Sequence, residues 1–414
     1  MRVPPRGACT ILALLTAVLM TVTACGFRGR GGDTTDPNAL TLLVPAYSDG
    51  TRARWQEIIR GFRALNPSIR IDLRVESWDA INEVVRTDLQ SPSTTPDILN
   101  IDAYAGFAAD DMLFPARDIV GPGVLSDIDP GFAGNASIGG TQWALPLFAS
   151  TRTLFCNSDL FARAGVAAPP RTWAELTDAA RRIQNLGGGI SGYGLPLGSE
   201  EAQGETSVWT FGAGGSWSDG HRLTVHTPAN LDGVRAMRAL ADAGVTQPNP
   251  GATDRKDVIN AFVAGRIGMI EGLPPVLSTI AQRNPGLPLR TAPAPTKSGN
   301  PVTLGVADNL VAFRKGGNKQ NAIRQFLNYF YSPPVYSNFV RAEHFIPITA
   351  SGRRALAGDP VTDTFAPTLP TAHFYPSGDP HWAALQGAIR QQIGTIAQGA
   401  DPARILDRIA QEAR

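Results

Sequence analysis

The chain has 414 residues, of which 43% are hydrophobic and 18% are charged, and its formal net charge is +1. This composition is that of a globular protein with an ample core, and the near-neutral charge argues against the basic surface that nucleic-acid binding needs. Once an N-terminal leader is set aside, about 390 residues exceed one comfortable hydrophobic core, so we expect two lobes.

The first 25 residues have the pattern of a secretory leader. Arg2 and Arg6 precede an apolar run over Ile11–Met20, which is too short and wrongly flanked for a membrane-spanning helix. Small residues then lead to Cys25, an arrangement that resembles a bacterial lipoprotein signal with its lipobox. We predict a signal peptide over 1–24 and a lipidated Cys25. A plain secretory signal with an incidental cysteine is the alternative.

The segment 25–38 is rich in Gly, Arg, Asp and Thr and has almost nothing to bury, so we expect a flexible tether. A diacylated cysteine supplies enough acyl chains for stable anchoring, which would place the body on the outer face of a bacterial cell membrane.

Cys9 leaves with the signal, so Cys156 remains as a single thiol among apolar neighbours. We expect it to be a buried structural residue.

From residue 39 the chain alternates strands with helices. An apolar run over 39–45 predicts a buried strand, and helical spacing of apolar residues follows it; 69–75 alternates as a second strand, and a third strand spans 96–102. This alternation predicts a parallel α/β sheet, in which ligands bind beyond the carboxyl ends of the strands. These ends carry Tyr47, Ser48, Asp49 and Asp102.

The rest of the chain continues with both kinds of element. Strands are predicted over 143–148 and 153–157, and Thr172 with Glu175 three residues later forms a capping box at a helix start. Further helices are predicted near 231–241, 256–263, 319–330 and from 381 onward, with an interruption at 399–402.

Short motifs in a fixed order resemble a known family. The most specific stretch combines Ala144-Leu145-Pro146, an aromatic strand ending at Asn157, Asp159-Leu160-Phe161, Pro169-Pro170 and Thr172-Trp173. Supporting matches are Pro96-Asp97-Ile98, Gly265 to Met269 and Phe345 to Ile348. In this order and spacing the chain resembles the extracellular solute-binding proteins of ABC importers, in the carbohydrate-binding group that includes maltose-binding protein.

The resemblance implies a periplasmic-binding-protein fold of type II, with two α/β lobes that close on a ligand held between them. By analogy, strands cross between the lobes at 149–152 and 304–309, and a third crossing follows residue 347. The implied segments are the signal peptide over 1–24, the tether over 25–38, lobe 1 over 39–149 and 305–346, and lobe 2 over 150–304 and 347–414, the last including the C-terminal helices.

The resemblance also implies a function. The protein would be a monomeric receptor that captures a carbohydrate or related polyol outside the membrane and delivers it to the transmembrane subunits of an ABC permease. No cofactor, metal or catalytic residue is expected, because the five histidines show no metal-ligand spacing except His221 and His226, which bracket a predicted strand.

Three candidate ligand-binding residues match family positions. Asp102 corresponds to the family's pocket acid, with a helix cap for 103–109 as the structural alternative. Trp209 resembles the second-lobe tryptophan, with core packing as its alternative, and Glu205 lies in the polar loop expected before it. Trp382 resembles the aromatic residue near the C-terminal helix that faces the cleft.

Further candidates lie at the implied crossings. Ser150 and Arg152 belong to the first crossing, and Asp308 and Asn309 replace a Gly-Gly pair that relatives often show at the second. Glu271 lies in a strand where relatives commonly carry an aromatic residue, so the ligand is expected to be smaller or more polar than a maltodextrin.

Other functions stay open at this point. A guanidinium such as that of Arg152 binds carboxylate or phosphate as readily as hydroxyl pairs, so a receptor for a glycerophosphodiester or other anionic solute is one alternative. A lipid-anchored glycoside-cleaving enzyme is another, although the acidic pairs Asp110-Asp111 and Glu200-Glu201 are interpreted as solvated faces. A sensory co-receptor that docks on a signalling protein is the third.

Overall fold

The structure is a computed structural model and describes residues 36–78 and 80–413. The predicted signal peptide, Cys25 and most of the predicted tether therefore lie outside the described residues.

The strands are β1 (Ala39–Pro45), β2 (Arg70–Glu76), β3 (Ile98–Ile101), β4 (Ser137–Ile138), β5 (Thr141–Gln142), β6 (Leu145–Thr151), β7 (Thr153–Asn157), β8 (Ser191–Gly194), β9 (Ile267–Gly272), β10 (Leu289–Ala292), β11 (Thr303–Ala312) and β12 (Ala372–Phe374).

Helices connect these strands throughout. The α-helices are α1 (Thr51–Leu65), α2 (Ile81–Asp88), α3 (Ala105–Ala109), α4 (Ala116–Ile119), α5 (Pro122–Asp127), α6 (Pro130–Asn135), α7 (Ser158–Arg163), α8 (Trp173–Gln184), α9 (Ala202–Gly212), α10 (Pro228–Asp242), α11 (Arg255–Val263), α12 (Pro275–Arg283), α13 (Gln320–Phe330), α14 (Pro333–Ala342), α15 (Ala350–Ala355), α16 (Pro360–Phe365), α17 (Trp382–Gln392) and α18 (Pro402–Glu412). Short 3₁₀ helices span Pro250–Ala252, Ala366–Thr371 and Ile393–Gln398.

The first lobe is built on a six-stranded sheet in the order β12-β11-β3-β1-β2, with β6 also paired to β11. β1 pairs in parallel with both β2 and β3, which confirms the parallel arrangement predicted for these strands. Leu42 and Val44 pack into one core and Leu43 into another, so both faces of β1 are buried. Burial on both faces agrees with the predominantly apolar sequence of the strand, in which Thr41 is the polar exception.

The second lobe is built on a four-stranded sheet in the order β10-β7-β9-β8. β7 is antiparallel to both β9 and β10, and β8 is parallel to β9. Cys156 of β7 is a buried free thiol in the core that also contains Trp209 and Trp382, which confirms the predicted structural role. Burial raises the pKa of its thiol, so it stays protonated and unreactive.

The strands between the two sheets form the floor of a cleft. β6 of the first sheet leads through Arg152 directly into β7 of the second sheet. β11 runs antiparallel to β6 from the Gly305–Thr151 pair to the Leu310–Leu145 pair, with a shift of register between Asp308 and Asn309. Such an irregularity changes the direction in which side chains leave the strand.

The helices confirm most of the predicted elements and correct one. The capping box before α8 is present, since the Thr172 hydroxyl accepts a hydrogen bond from Glu175 N–H and the Glu175 carboxylate accepts one from Thr172 N–H, both at 3.2 Å. The C-terminal helices break at Gly399, whose φ is 96°. The polar segment predicted as a loop before Trp209 instead lies within α9. This helix is buried on nearly all sides, so it has no amphipathic pattern to predict it.

Between residues 36 and 413, no described helix has both the length and the apolar character that crossing a membrane requires. The same part of the chain contains no cluster of three or more His, Cys, Asp or Glu side chains arranged to hold a metal ion.

Candidate functional site

A cavity of about 240 Å³ lies between the two lobes, above the strands that connect them. It is slightly smaller than the roughly 300–1,000 Å³ of sites for drug-sized ligands, so it suits a small solute. Both lobes contribute to its wall: Tyr47 and Asp102 follow β1 and β3 of the first sheet, whereas Glu201 and Arg255 lie at the starts of α9 and α11.

The aromatic part of the cavity wall consists of Tyr47, Trp78, Phe345 and Tyr375. The ring of Tyr47 lies 6.1 Å from that of Trp78 and 5.7 Å from that of Phe345, measured between centroids. The Tyr47 hydroxyl donates a hydrogen bond to the side-chain oxygen of Asn100. Burial, together with the negative charges of Asp308 and Glu343, raises the pKa of Tyr47, so the ring is neutral. Such rings can pack against the C–H faces of a sugar.

Asp102 connects the two lobes across the cavity. Its Oδ1 accepts a hydrogen bond from Ala103 N–H at 2.8 Å, and its Oδ2 accepts one from Gln386 Nε2 at 2.6 Å. Burial raises the pKa of the carboxyl group, and these two hydrogen bonds oppose that shift. The alternative role as a helix cap is not observed, because α3 begins after Tyr104 and its first turn has no side-chain cap.

Three charged side chains form an ion-pair triad on the second-lobe side. Glu201 Oε2 lies 2.8 Å from Arg152 Nη2 and 2.6 Å from Arg255 Nη2. Burial alone would raise the pKa of Glu201, but the two guanidinium groups outweigh it and lower the pKa. The interpretation of Glu200-Glu201 as a solvated face is therefore wrong for Glu201, because its carboxylate is enclosed by two cations. Glu201 is also one of the few non-glycine residues with a positive φ, 56°.

Asp308 projects from β11 into the cavity wall at the register shift of the connecting strands. It is only 5% exposed, and its Oδ1 has no hydrogen-bond partner among the described residues. Burial, followed by the negative charges of Asp102 and Glu201, raises the pKa of this carboxyl group well above its ordinary range. A polar atom without a partner in such a position is available to a ligand.

The structure brings four of the twelve predicted ligand-binding residues to the cavity wall: Tyr47, Asp102, Ser150 and Asp308. The other eight lie behind the wall or outside it: Ser48, Asp49, Arg152, Glu205, Trp209, Glu271, Asn309 and Trp382.

Several of these eight residues have partners inside the protein. Glu205 accepts hydrogen bonds from the Tyr193 hydroxyl at 2.7 Å and from Trp209 Nε1 at 2.9 Å. Trp382 is fully buried, with its ring centroid 4.8 Å from that of Tyr375, so it supports a wall residue from behind. Trp209 packs in the core of the second lobe, which is the alternative role given for it above.

The remaining candidates also have partners inside the protein or lie away from the cavity wall. Ser48 donates a hydrogen bond to Glu343 at 2.8 Å, and Asp49 is exposed. The backbone oxygen of Asn309 accepts a hydrogen bond from Asn100 Nδ2 at 2.9 Å, and the residue is buried in the sheet. Glu271 is buried, and desolvation with the nearby negative charge of Glu205 raises its pKa well above the ordinary range.

Most residues of the cavity wall were not among the predicted ligand-binding residues; the polar ones include Glu201, Arg255, Tyr375 and Gln386. One signal was available for Gln386, which follows Trp382 by four positions and therefore lies one turn further along the same helix face. The others come from loops and helix starts far apart in the chain, where no local pattern identifies them.

Comparisons with known proteins agree with this architecture. Residues 47–336 match the family described as bacterial extracellular solute-binding protein. A binding protein of Brucella abortus (strain 2308) is 27% identical over 391 residues, which cover 91% of this chain and 93% of that protein. The diacetylchitobiose-binding protein of Streptomyces coelicolor is 22% identical, with 96% of each chain covered.

A solved structure shows the same fold. The solute-binding protein of an ABC transporter from Thermotoga lettingae, bound to α-D-tagatose, superposes with a TM-score of 0.80 at 22% identity. The superposition covers 91% of this chain and 98% of that one. The two-lobed fold of periplasmic solute-binding proteins is therefore confirmed. Because the family match extends over well more than half of its length, the chain belongs to the bacterial extracellular solute-binding proteins.

Proposed function

We propose that this extracellular solute-binding protein is the substrate-binding receptor of an ABC import system. It would capture a carbohydrate or related polyol between its lobes and deliver it to the permease subunits in the membrane. The observation that carries the proposal is the cavity between the lobes, whose wall combines aromatic rings with carboxylate, amide and guanidinium groups from both lobes. Rings for C–H faces and polar groups for hydroxyl pairs are what a sugar requires.

The relatives support the same ligand class. One of them is named for diacetylchitobiose, and a solved relative contains tagatose. The small cavity favours a solute of one or two sugar units over a long maltodextrin. A site that hydrogen-bonds each hydroxyl group rejects epimers strongly, because the wrong epimer leaves buried polar groups unpaired.

The charged side chains of the cavity wall support an anionic ligand less well than a neutral sugar. Arg152, the anchor expected for such a ligand, is only 3% exposed and its Nη2 is bound to Glu201. The cavity wall contains the carboxylates of Asp102, Glu200, Glu201 and Asp308 but only the guanidinium groups of Arg255 and Arg390. A phosphate in this cavity would meet an excess of negative charge.

The protein is proposed to act as a lipid-anchored monomer on the outer face of the bacterial cell membrane, held by Cys25. The strands at 149–152 and 304–309 would serve as the hinge between the two lobes. The continuity of β6 with β7 supports this assignment, because hinge closure needs only a few residues to change their backbone angles. The segment 347–414 does not lie wholly in lobe 2 as predicted, because β12 within it pairs with β11 in the first sheet.

A thermal-shift screen followed by calorimetry tests the proposed function. The mature chain is screened against neutral mono- and disaccharides, polyols, amino sugars and glycerophospho-compounds, since a ligand that binds only the folded state raises the melting temperature. A sugar or polyol hit supports the proposal, and binding confined to phosphorylated compounds contradicts it. Oligosaccharides recovered intact after incubation support a receptor, whereas cleavage products would indicate the glycoside-cleaving alternative.

A further inference from the structure

The charges of the cavity wall are compensated on one side and not on the other. Glu201 lies between two guanidinium groups, those of Arg152 and Arg255. Asp102 and Asp308 form no salt bridge with any side chain that the structure describes. We call these two carboxylates, with the neighbouring rings of Tyr47 and Trp78 in the same wall, the acidic corner.

Asp308 is the most unusual member of the acidic corner. It is 95% buried, since only 5% of it is exposed, and its Oδ1 has no partner among the described residues although it lines the cavity. Its strongest electrostatic neighbours are the acids Asp102 and Glu201, which together with burial raise its pKa. A buried carboxylate with no cation nearby is unfavourable, so the raised pKa favours the protonated carboxyl group in the free protein, and a bound cation would favour its ionised form.

Asp102 has neutral partners only. Its two oxygens accept hydrogen bonds from a backbone amide and from the Gln386 side chain, at 2.8 and 2.6 Å. Each carboxylate oxygen has a second lone pair, so Asp102 can still accept a hydrogen bond from the cavity.

The aromatic rings complete the arrangement. The ring centroids of Tyr47 and Trp78 lie 6.1 Å apart, and both rings line the same cavity as Asp308. The faces of Tyr and Trp rings attract cations. A neutral hydroxyl group could hydrogen-bond with Asp308, but only a cation would compensate the negative charge of its ionised form.

We propose that the acidic corner selects a solute carrying a protonated amino group, that is, an amino sugar or an amino polyol. Its ammonium would be held by Asp308 and Asp102 beside the rings of Tyr47 and Trp78. An ammonium has three N–H donors, which match the free acceptor positions of the two carboxylates. The inference rests on the proposed function and narrows its ligand class.

Matched pairs of ligands test the inference by calorimetry on the mature chain at neutral pH. The pairs differ only in an amino group in place of a hydroxyl: D-glucosamine and D-glucose, D-galactosamine and D-galactose, D-mannosamine and D-mannose, and 1-amino-1-deoxy-D-glucitol and D-glucitol. In the pair that binds best, the amine is expected to bind about tenfold tighter or more, as a charge-assisted hydrogen bond predicts.

Variants of the acidic corner test whether its carboxylates cause the preference for the amine. Asp308→Asn keeps the shape of the side chain but cannot become negatively charged against a bound ammonium, so it is expected to abolish the preference for the amine. Asp110→Asn is the control, because it removes one charge from an exposed residue outside the cavity wall. Each variant is melted without ligand first. If Asp308→Asn does not fold, Asp102→Asn takes its place, with a reduced preference expected.

The outcomes separate this inference from the proposed function. Neutral members that bind as tightly as their amines overturn the inference and leave the sugar receptor standing. A preference for the amine that persists in both Asp308→Asn and Asp102→Asn overturns the assignment to the acidic corner. Failure of all eight compounds overturns the inference, and the broader screen of neutral oligosaccharides then decides the proposed function independently.

Discussion

Gln386 and Asp102 join the two lobes directly, through a hydrogen bond of 2.6 Å from the amide of Gln386 to Oδ2 of Asp102. Gln386 belongs to α17, whose neighbours Leu385 and Ile389 pack in the second-lobe core, whereas Asp102 follows a strand of the first sheet. The bond lies in the wall of the cavity, and we expect opening of the cleft to break it. It therefore links the relative position of the lobes to the geometry of the ligand site.

We predict that Gln386→Leu weakens binding of the ligand identified by the screen by about 1–3 kcal/mol, because a part-buried acceptor on Asp102 loses its donor. Calorimetry measures the change in Kd. Gln391→Leu is the matched control, since Gln391 is exposed on the same helix. An unchanged Kd in Gln386→Leu would show that the interlobe bond does not contribute to the bound state.

At Trp382 the predicted helix is confirmed, but the predicted role of the tryptophan in binding the ligand is not. The sequence predicts a helix starting near this tryptophan, and α17 begins there, but the expected contact with the ligand is replaced by complete burial against Tyr375. Sequence pattern cannot distinguish a ring that faces a cleft from one that lies a layer behind it. The difference depends on Tyr375, which comes from a segment with no recognisable motif.

We predict that Trp382→Ala destabilises the protein by about 3–5 kcal/mol, the cost of removing a large buried aromatic side chain. Urea unfolding measures this loss. Trp382→Phe is expected to lose less stability and to keep the affinity for ligand within a few fold. A Trp382→Ala protein that is as stable as the wild type but does not bind would instead indicate direct contact with the ligand.

The triad of Arg152, Glu201 and Arg255 makes a prediction about pH. The pKa of Glu201 lies below its ordinary value of 4.5 in the folded protein. The stabilisation from its ion pairs is therefore fully present above the pKa of the unfolded chain and is lost as the pH falls through the folded pKa. Acidification below pH 4.5 should thus weaken the triad.

We predict that Arg255→Met costs about 1–3 kcal/mol of folding free energy at pH 7, less than for an isolated buried pair because Arg152 still compensates Glu201. The difference between wild type and variant should shrink as the pH is lowered from 5 to 3, in chemical denaturation at each pH. Arg181→Met, an exposed arginine on α8, is the control. A difference that stays constant over this range would mean that Glu201 does not carry the effect.

The fold could be predicted from the sequence more fully than the site. Predominantly apolar strands such as β1, and the capping box at Thr172, carry local signals that do not depend on distant residues. The cavity is made by residues that lie far apart in the chain, such as Asp102, Glu201 and Gln386. Arg152 shows the limit: its place at the crossing was identified, but its partner depends on the distant start of α9.

Cys25 allows a test of anchoring that is independent of the ligand. Cys25→Ala in the full-length chain should shift the protein from the membrane fraction to the soluble fraction, or leave it unprocessed, because the predicted tether has no apolar surface to hold it. Fractionation with immunoblotting measures the distribution. Cys156→Ala is the control, because that thiol is buried and should not affect anchoring. Full membrane retention of correctly cleaved Cys25→Ala protein would contradict the lipoprotein assignment.

Closure of the lobes is the final prediction, and it rests on the connecting strands. β6 and β11 pair at the base of the cleft, with the register shift at Asp308 and Asn309, so rotation of the lobes can be confined to a few residues. A ligand that touches both lobes stabilises the closed state through its greater affinity for that state. Small-angle scattering should therefore give a smaller radius of gyration with saturating ligand than without it.

The Gln386→Leu variant sharpens this measurement, because its ligand-free form lacks one bond between the lobes. It should start from a radius of gyration at least as large as that of the wild type and reach the same closed value when saturated. The permease could then recognise closure, which would couple delivery to occupancy. An unchanged radius in both proteins, at ligand concentrations where calorimetry shows binding, would mean that the receptor is rigid or already closed. Closure would then have to be abandoned as its signal to the permease.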